Sequence, residues 1–384
     1  MKQGAMTRTT TKPCIIPGPV LWGSDCQTIG ILMLWAIFLF GLCLSGHAEP
    51  LRIVVAGDGR ADFPWNDPRP GDKEGINEVV TKQIAVAMAG EHPQLVLWTG
   101  DIVNVNERAG PKPEDKANAL RNGLQRWREI MAPLFEHATV LPVRGNHEVG
   151  WYEKKDRNPY EIANATAIWK EVMWKKESQV VANGPECEQG TSFWYASGPV
   201  LCIGLDQYEN RRHLINQRWL GDVLAKNKKE LKKPFVFAFG HEPAFVTGGN
   251  HTREETLAAY PHDRDQMWKS LEDASARVYF CGHDHFYDHM KVQRQWTPLG
   301  AETHQLTAGT AGAPFYTRQS GYPSDEDWQL EQVKHSDFVS GYILVVIEQN
   351  TASKEYTATI EFKARQPDGQ YQAIDRFSYS VKVP

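Results

Sequence analysis

Six short apolar runs, each followed by glycine and polar residues, constrain the fold of this chain more than any other feature. The runs are LRIVVAGD from Leu51, LVLWTGD from Leu95, TVLPVRGNHE from Thr139, PVLCIGLD from Pro199, PFVFAFGHEP from Pro234 and RVYFCGHDH from Arg277. Stretches with helical periodicity lie between them: Ile76 to Ala89, Lys116 to Glu136, Tyr160 to Lys176, Gln217 to Lys232 and Arg264 to Ala276. Such alternation indicates parallel or mixed sheets covered by helices.

The pattern becomes β-rich after His285. Further runs cover His304 to Gly309, Gly341 to Gln349, Glu355 to Ala364 and Arg376 to Val383, and polar and apolar residues alternate around Thr359. Alternation of this kind predicts a half-exposed strand. No internal repeat, low-complexity segment or linker divides the chain after residue 48. We therefore expect an α/β fold in one domain, residues 49–384: a four-layer αββα sandwich with two mixed β-sheets flanked by helices.

Residues 1–48 have the pattern of a targeting segment. Basic residues Lys2, Arg8 and Lys12 precede an apolar run from Ile29 to Leu44, and small residues follow up to Ala48. This order is typical of a secretory signal peptide cleaved after Ala48. An uncleaved anchor is the alternative, although the run is shorter than the roughly 20 residues that span a bilayer. The sequence predicts a secreted or periplasmic protein without stable membrane contact after cleavage.

Charge and cysteine content exclude other classes. The net charge of -5 argues against nucleic-acid binding through phosphate contacts, because no basic excess is available. After residue 48 the cysteines are Cys187, Cys202 and Cys281, an odd number that is not a disulfide framework. Cys187 and Cys202 could pair in an oxidising compartment, whereas Cys202 and Cys281 lie in apolar runs and are expected to be buried thiols.

Residues capable of binding metal stand where the apolar runs end. They are Asp58, Asp101, Asn146, His241, His283 and His285. The carboxyl ends of strands in an open α/β sheet collect ligands, so these side chains can converge from distant positions. Carboxylate and amide oxygens together with imidazole nitrogens suit Zn, Mn or Fe. A single residue such as Asp58 could instead cap a helix, and His283 and His285 could be polar loop residues.

The order of these blocks resembles the calcineurin-like metallophosphoesterase superfamily. The blocks stand here as GDGR from Gly57, GDIVN from Gly100, GNHE from Gly145, GHEP from Gly240 and GHDH from Gly282. The resemblance implies two divalent or trivalent metal ions, Fe, Mn or Zn. Asp101 would bridge them, Asp58 and His285 would hold the first ion, and the second ion would be bound by Asn146, His241 and His283.

The resemblance also implies a reaction. A hydroxide bridging the two ions would attack a phosphate monoester or diester, a small phosphorylated substrate. His147 would assist the leaving group by donating a proton or stabilising its charge, with its tautomer fixed by Glu148 or a backbone carbonyl.

Two positions depart from the family pattern. Arg60 stands where the common first block has a metal-binding histidine, and a guanidinium has no lone pair for a metal. Asn104 stands where purple acid phosphatases have an iron-binding tyrosine, and its amide oxygen would complete a weaker first site. Arg60 could hold a phosphate oxygen or pair with a nearby acid such as Asp62 or Asp67.

Two functions follow from these residues. The first is an exported metal-dependent phosphoesterase in which His147 and Arg60 take part in catalysis. The second is a non-catalytic phosphate- or metal-binding relative in which Arg60 has displaced the first ion.

Overall fold

The structure is a computed structural model that describes residues 49–61, 72–105, 112–150, 162, 164–174, 183–209, 211–295, 302–350 and 352–382. The predictions made for residues 1–48, and the proposed partners Asp62 and Asp67 of Arg60, lie outside these residues. None of the described helices combines the length and apolar character needed to cross a bilayer.

The strands and helices are numbered in chain order. The strands are β1 Leu51–Ala56, β2 Asp72–Lys73, β3 Ile76–Asn77, β4 Leu95–Trp98, β5 Thr139–Pro142, β6 Phe193–Ser197, β7 Val200–Gly204, β8 Phe235–Phe239, β9 Val278–Cys281, β10 Tyr287–Arg294, β11 Thr303–Ala308, β12 Trp328–Ser336, β13 Gly341–Asn350, β14 Glu355–Arg365 and β15 Tyr371–Lys382. The α-helices are α1 Glu78–Gly90, α2 Pro113–Ile130, α3 Ala132–Phe135, α4 Asn146–Val149, α5 Ala165–Met173, α6 Gln217–Lys226 and α7 Pro261–Asp273.

Two large mixed sheets form the centre of the fold. The first has the strand order β15-β14-β13-β1-β4-β5, with β1, β4 and β5 parallel and the remaining pairs antiparallel. The second has the order β12-β10-β11-β9-β8-β7-β6, with a parallel centre from β11 to β7. Antiparallel strands lie at both of its ends. Each sheet thus combines a parallel part that positions strand ends with antiparallel strands that extend it.

The sheets pack face to face through one apolar core. Val55 and Val345 of the first sheet belong to the same buried cluster as Phe237, Phe280 and Leu306 of the second. Burial of this apolar surface is the main force holding the two sheets together.

Helices cover the outer faces of the sheets. A second core joins the other face of the second sheet to Leu220 of α6 and Trp268 of α7. Residues Ile84 of α1 and Leu124 of α2 pack with the first sheet. The helix-sheet-sheet-helix arrangement confirms the predicted α/β sandwich.

All six apolar runs are strands, but several boundaries differ from prediction. The stretch Lys116 to Glu136 is interrupted at Met131, where α2 ends before Pro133 in the next turn. The stretch Gln217 to Lys232 is α-helical only to Lys226, after which Asn227–Leu231 is π-helical. Strand β14 alternates between buried and half-exposed side chains as predicted.

Five strands were not predicted: β6, β10 and β12 of the two large sheets, and the two-residue strands β2 and β3, of which β3 replaces the predicted start of the first helix. Strand β12 is exposed at many positions because it lies at the edge of its sheet, and β10 begins with the polar residues that follow GHDH. Neither carries a clean apolar alternation, which is the signal that sequence reasoning uses.

The described cysteines are free thiols, and Cys187 and Cys202 do not form a disulfide. Cys202 and Cys281 are buried free thiols, and Cys187 is exposed and unbonded. Burial raises the pKa of the Cys202 thiol to about 12, so this thiol remains protonated and unreactive at neutral pH.

Candidate metal centre

The six predicted metal-binding residues come together where the strands of both sheets end. Asp58 and Asp101 follow β1 and β4, and Asn146 begins α4 just after β5. From the second sheet, His241 follows β8, while His283 and His285 lie between β9 and β10. The site therefore draws half of its residues from each sheet.

Unusual backbone conformations aim three of these side chains. Asp58, Asp101 and His283 have positive φ values of 61°, 49° and 73°. Such left-handed conformations are rare for residues other than glycine, and they recur where the surrounding structure fixes a functional side chain. In addition, position 145 needs glycine, because a Cβ there would overlap the Asp101 carboxylate.

Four donor atoms form what we call the four-donor cluster, made by Asp101, Asn146, His241 and His283. His241 Nε2 lies 3.0 Å from Asn146 Oδ1, 3.0 Å from His283 Nδ1 and 3.5 Å from Asp101 Oδ1. An amide oxygen, a carboxylate oxygen and a second imidazole nitrogen thus each lie within 3.5 Å of His241 Nε2. This donor set is one that Zn²⁺, Mn²⁺ or Fe²⁺ can bind.

Backbone carbonyls fix the tautomers of both histidines in this cluster. A carbonyl oxygen only accepts, so His241 must donate from Nδ1 to the Thr99 carbonyl at 2.8 Å, and His283 must donate from Nε2 to the Glu255 carbonyl at 3.0 Å. The nitrogens left without a proton, His241 Nε2 and His283 Nδ1, are the two that face each other. Metal-binding histidines are oriented in this way, by a hydrogen bond from the nitrogen that does not bind the metal.

Asp58, Asp101 and His285 form a second group, which we call the carboxylate-histidine group. One oxygen or nitrogen from each residue lies within 4.8 Å of the other two. His285 donates from Nδ1 to the Pro314 carbonyl at 2.6 Å, which leaves Nε2 unprotonated at 3.6 Å from Asp58 Oδ1. Burial raises the pKa of Asp58, and the Asp101 carboxylate raises it further. Two carboxylates this close are both charged only where a cation compensates them; otherwise one of them takes up a proton.

Arg60 supplies such a cation in the carboxylate-histidine group. Its side chain is buried, with Nε 3.3 Å from Asp101 Oδ2 and Nη2 3.3 Å from His285 Nε2. Of the two sequence interpretations, a salt bridge is present in the structure, with Asp101 as a partner; pairing with Asp62 or Asp67 stays a prediction, because these residues lie outside the described ones. The four-donor cluster fits a metal ion, whereas in the carboxylate-histidine group the atoms facing the centre already contact a guanidinium.

Burial also makes the histidines poor bases. It lowers the pKa of both His283 and His285 well below the ordinary value, and the neighbouring histidines lower both further. Neutral imidazoles have the lone pair that a metal needs. Burial, followed by the charge of Arg60, likewise lowers the pKa of His147 to about 3.

His147 lies beside the four-donor cluster, with Nε2 3.7 Å from Asp101 Oδ2 and its backbone N–H donating to Asp101 Oδ1. Glu148 has a role different from the one suggested by sequence. Its carboxylate accepts hydrogen bonds from four backbone N–H groups, those of Asp101, Ile102, Val103 and Gly145, at 2.7 to 3.0 Å. It therefore ties two strand-end loops together.

Asn104 follows Asp101 closely in sequence, and its side chain contacts the backbone of Ala61 and lines a separate cavity. Its amide nitrogen donates to the Ala61 carbonyl at 3.3 Å, and its buried Oδ1 has no hydrogen-bond partner among the described residues. The residue also lines a cavity of about 400 Å³ beside α2, together with Glu74 and Asp115. Its role as a metal ligand stays a prediction.

Two residues that sequence reasoning missed support the site. Gln207 Oε1 accepts from the backbone N–H groups of His241 and Glu242, at 2.8 and 2.7 Å. Tyr316 stacks on His285 with ring centroids 3.9 Å apart. Gln207 directly follows the run that ends at Asp206, so its strand-end position was a usable signal. No sequence pattern marks Tyr316.

The fold and donor set place the chain among α/β proteins with a metal centre between two sheets. Residues 51–287 match the family model of the calcineurin-like phosphoesterases, which is more than half of the 384 residues. The chain belongs to this family, as its motif order suggested.

The fold is also similar to that of a solved structure. The chain is similar to a purple acid phosphatase from yellow lupin (Lupinus luteus) seeds, with a TM-score of 0.59 and 15% identity over 88% of this chain. It spans only 55% of the lupin chain. It is also similar to a dimetal phosphatase from Danio rerio, with a TM-score of 0.48, 13% identity, and coverage of 86% of this chain and 99% of that one. A comparison with curated protein sequences gave no match.

Proposed function

We propose that this protein is an exported, metal-dependent hydrolase of small phosphate monoesters or diesters. The observation that carries the proposal is the four-donor cluster, in which the unprotonated Nε2 of the carbonyl-fixed His241 faces Asn146, Asp101 and the unprotonated Nδ1 of His283. A metal ion bound there would polarise a phosphoryl oxygen and lower the pKa of a water molecule. Membership of the calcineurin-like phosphoesterases supports the same chemistry.

The chain's own residues would position and assist the reaction. His147 is held beside Asp101, and a neutral imidazole N–H can donate a hydrogen bond to the leaving oxygen as charge develops there. Glu148 would hold the loops that carry Asp101 and Asn146 at fixed separation. Export is supported by the sequence of residues 1–48, and the negative net charge favours a small substrate over a nucleic acid.

Hydrolysis of nitrophenyl phosphate and bis-nitrophenyl phosphate, with elemental analysis of the same preparation, tests the function. Bound metal together with chelator-sensitive turnover on either ester is expected. The ratio of the two rates assigns the monoester or diester class. Metal or phosphate binding without turnover would favour the non-catalytic alternative, which the contacts of Arg60 with Asp101 and His285 also motivate.

A leaving-group series tests His147. His147→Ala is expected to lower kcat roughly 100-fold or more for an alkyl phosphate, and much less for nitrophenyl phosphate, whose leaving group needs no assistance. The exposed His137→Ala provides the matched control. Equal losses on both esters would contradict a leaving-group role.

A further inference from the structure

The Arg60 guanidinium lies against the carboxylate-histidine group. It contacts two of the three residues of that group, Asp101 through Nε and His285 through Nη2, both at 3.3 Å. The third member, Asp58, places its Oδ1 atom 3.6 Å from the same Nε2 atom of His285.

The contact with His285 is exclusive. The Nδ1 atom of His285 donates to the Pro314 carbonyl, so Nε2 carries the only ring lone pair available for bonding. That lone pair accepts a hydrogen bond from Nη2 of Arg60. A metal bound by His285 would need the same lone pair at about 2.0 to 2.1 Å, a distance that leaves no room for the guanidinium contact.

Asp101 divides its two oxygens between two positions. Oδ1 faces His241 in the four-donor cluster at 3.5 Å, and Oδ2 faces Arg60 Nε. A bridging carboxylate would divide its oxygens in the same way between two metal ions. Here the partner on the second side is a side chain of the protein.

Arg60 is held in place along its whole length. Its backbone N–H donates to the Asp101 carbonyl at 3.1 Å, and it pairs with Ile76 in an isolated β-bridge. Nη1 donates to the Ala61 carbonyl, Nη2 also reaches the Tyr316 hydroxyl, and the residue is 3% exposed. Withdrawing this side chain to admit an ion would break these bonds and bury a displaced charge.

We propose that Arg60 is a built-in cation of the carboxylate-histidine group, so that this protein binds one metal ion, at the four-donor cluster, and none at Asp58 and His285. The inference rests on the metal dependence of the proposed function. It assigns Arg60 a positioning and charge-balancing role and makes His285 a hydrogen-bond acceptor.

Titration of the chelator-stripped protein with Mn²⁺ tests this directly, with elemental analysis for stoichiometry and electron paramagnetic resonance for the type of centre. The wild type is expected to bind one equivalent and to give the spectrum of an isolated Mn²⁺. His283→Ala should lose this ion, whereas His285→Ala should retain it. Arg60→His, which replaces the guanidinium with an imidazole, should bind two equivalents and show a spin-coupled pair.

The outcomes separate this inference from the proposed function. Two equivalents in the wild type, or loss of the single ion in His285→Ala, overturns the inference even if the esters are hydrolysed. Binding of one equivalent by the wild type, lost in His283→Ala and kept in His285→Ala, supports the inference. If the wild type with its one ion then hydrolyses neither ester, the proposed phosphoesterase function alone is refuted. Absence of any metal in the purified protein, together with no Mn²⁺ bound on titration, overturns both. The wild type and the two histidine variants are sufficient to decide between these outcomes. The test therefore remains valid even if Arg60→His does not fold, and circular dichroism will show whether it does.

Discussion

Single atoms decide how closely the strand ends of the two sheets approach. Gly282 precedes His283, and a Cβ at this position would overlap Asp58 Oδ2 and come within 3.0 Å of Thr99 Oγ1. The glycine is needed because the carboxylate of a residue from the other sheet passes over its Cα. The repeated glycine before Asp, Asn or His thus has a packing reason in this block, beyond any freedom of its backbone.

Gly282→Ala is therefore expected to lower the free energy of unfolding by about 1–3 kcal/mol, the usual cost of overpacking a tight core position. Gly221→Ala is the matched control, because a Cβ there meets nothing within 4 Å and Gly221 lies inside helix α6. The control should be as stable as the wild type or up to about 1 kcal/mol more stable. Chemical denaturation measures both, and equal stability of the two variants would refute the packing argument.

At the scale of elements, the loops that follow the strands are held by partners far away in the sequence. The positions of the candidate metal-binding residues were predictable, since each follows an apolar run whose strand the sequence marks clearly. The contacts of Arg60 with Asp101 and His285, which lie 41 and 225 residues away, were not predictable, because no local pattern marks which distant residues meet. Tyr316 was missed for the same reason. Local pattern fixes where a strand ends, and only tertiary packing decides which strand ends meet.

Glu148 offers a test of one such loop anchor. Glu148→Gln replaces one acceptor oxygen with an NH₂ group that faces backbone N–H donors, so two of the four hydrogen bonds are lost. We expect a loss of about 1–3 kcal/mol in the free energy of unfolding, the cost of leaving buried donors unsatisfied. Mn²⁺ affinity, measured by calorimetry, should also fall, because the anchored loops carry Asp101 and Asn146. Glu136→Gln, at a side chain 70% exposed, should change neither quantity.

The candidate metal centre depends on the whole molecule, because its residues come from both sheets and meet only when the sheets dock. Besides the apolar core, a polar link joins the sheets through Asp375 of β15. Its Oδ2 accepts from the Tyr287 hydroxyl and from His289 Nδ1 of β10, each at 2.7 Å. Tyr287 also stacks on Phe362 of β14, with ring centroids 3.8 Å apart. Sheet docking and assembly of the metal centre should therefore be lost together on unfolding.

The link through Asp375 predicts an acid-dependent part of the stability. Burial raises the pKa of Asp375, but the hydrogen bonds from His289 and Tyr287 outweigh burial and bring it below 3.8. Because the folded pKa is the lower one, the folded state binds fewer protons, and the contribution is fully present above 3.8 and disappears as pH falls through the folded pKa. Asp375→Asn should thus be less stable than the wild type at neutral pH, and the difference should shrink on acidification below pH 3.8. Thermal unfolding of both proteins across this range, with the exposed Asp222→Asn as control, measures the difference, and a gap that stays constant with pH would show that the Asp375 carboxylate does not make this link.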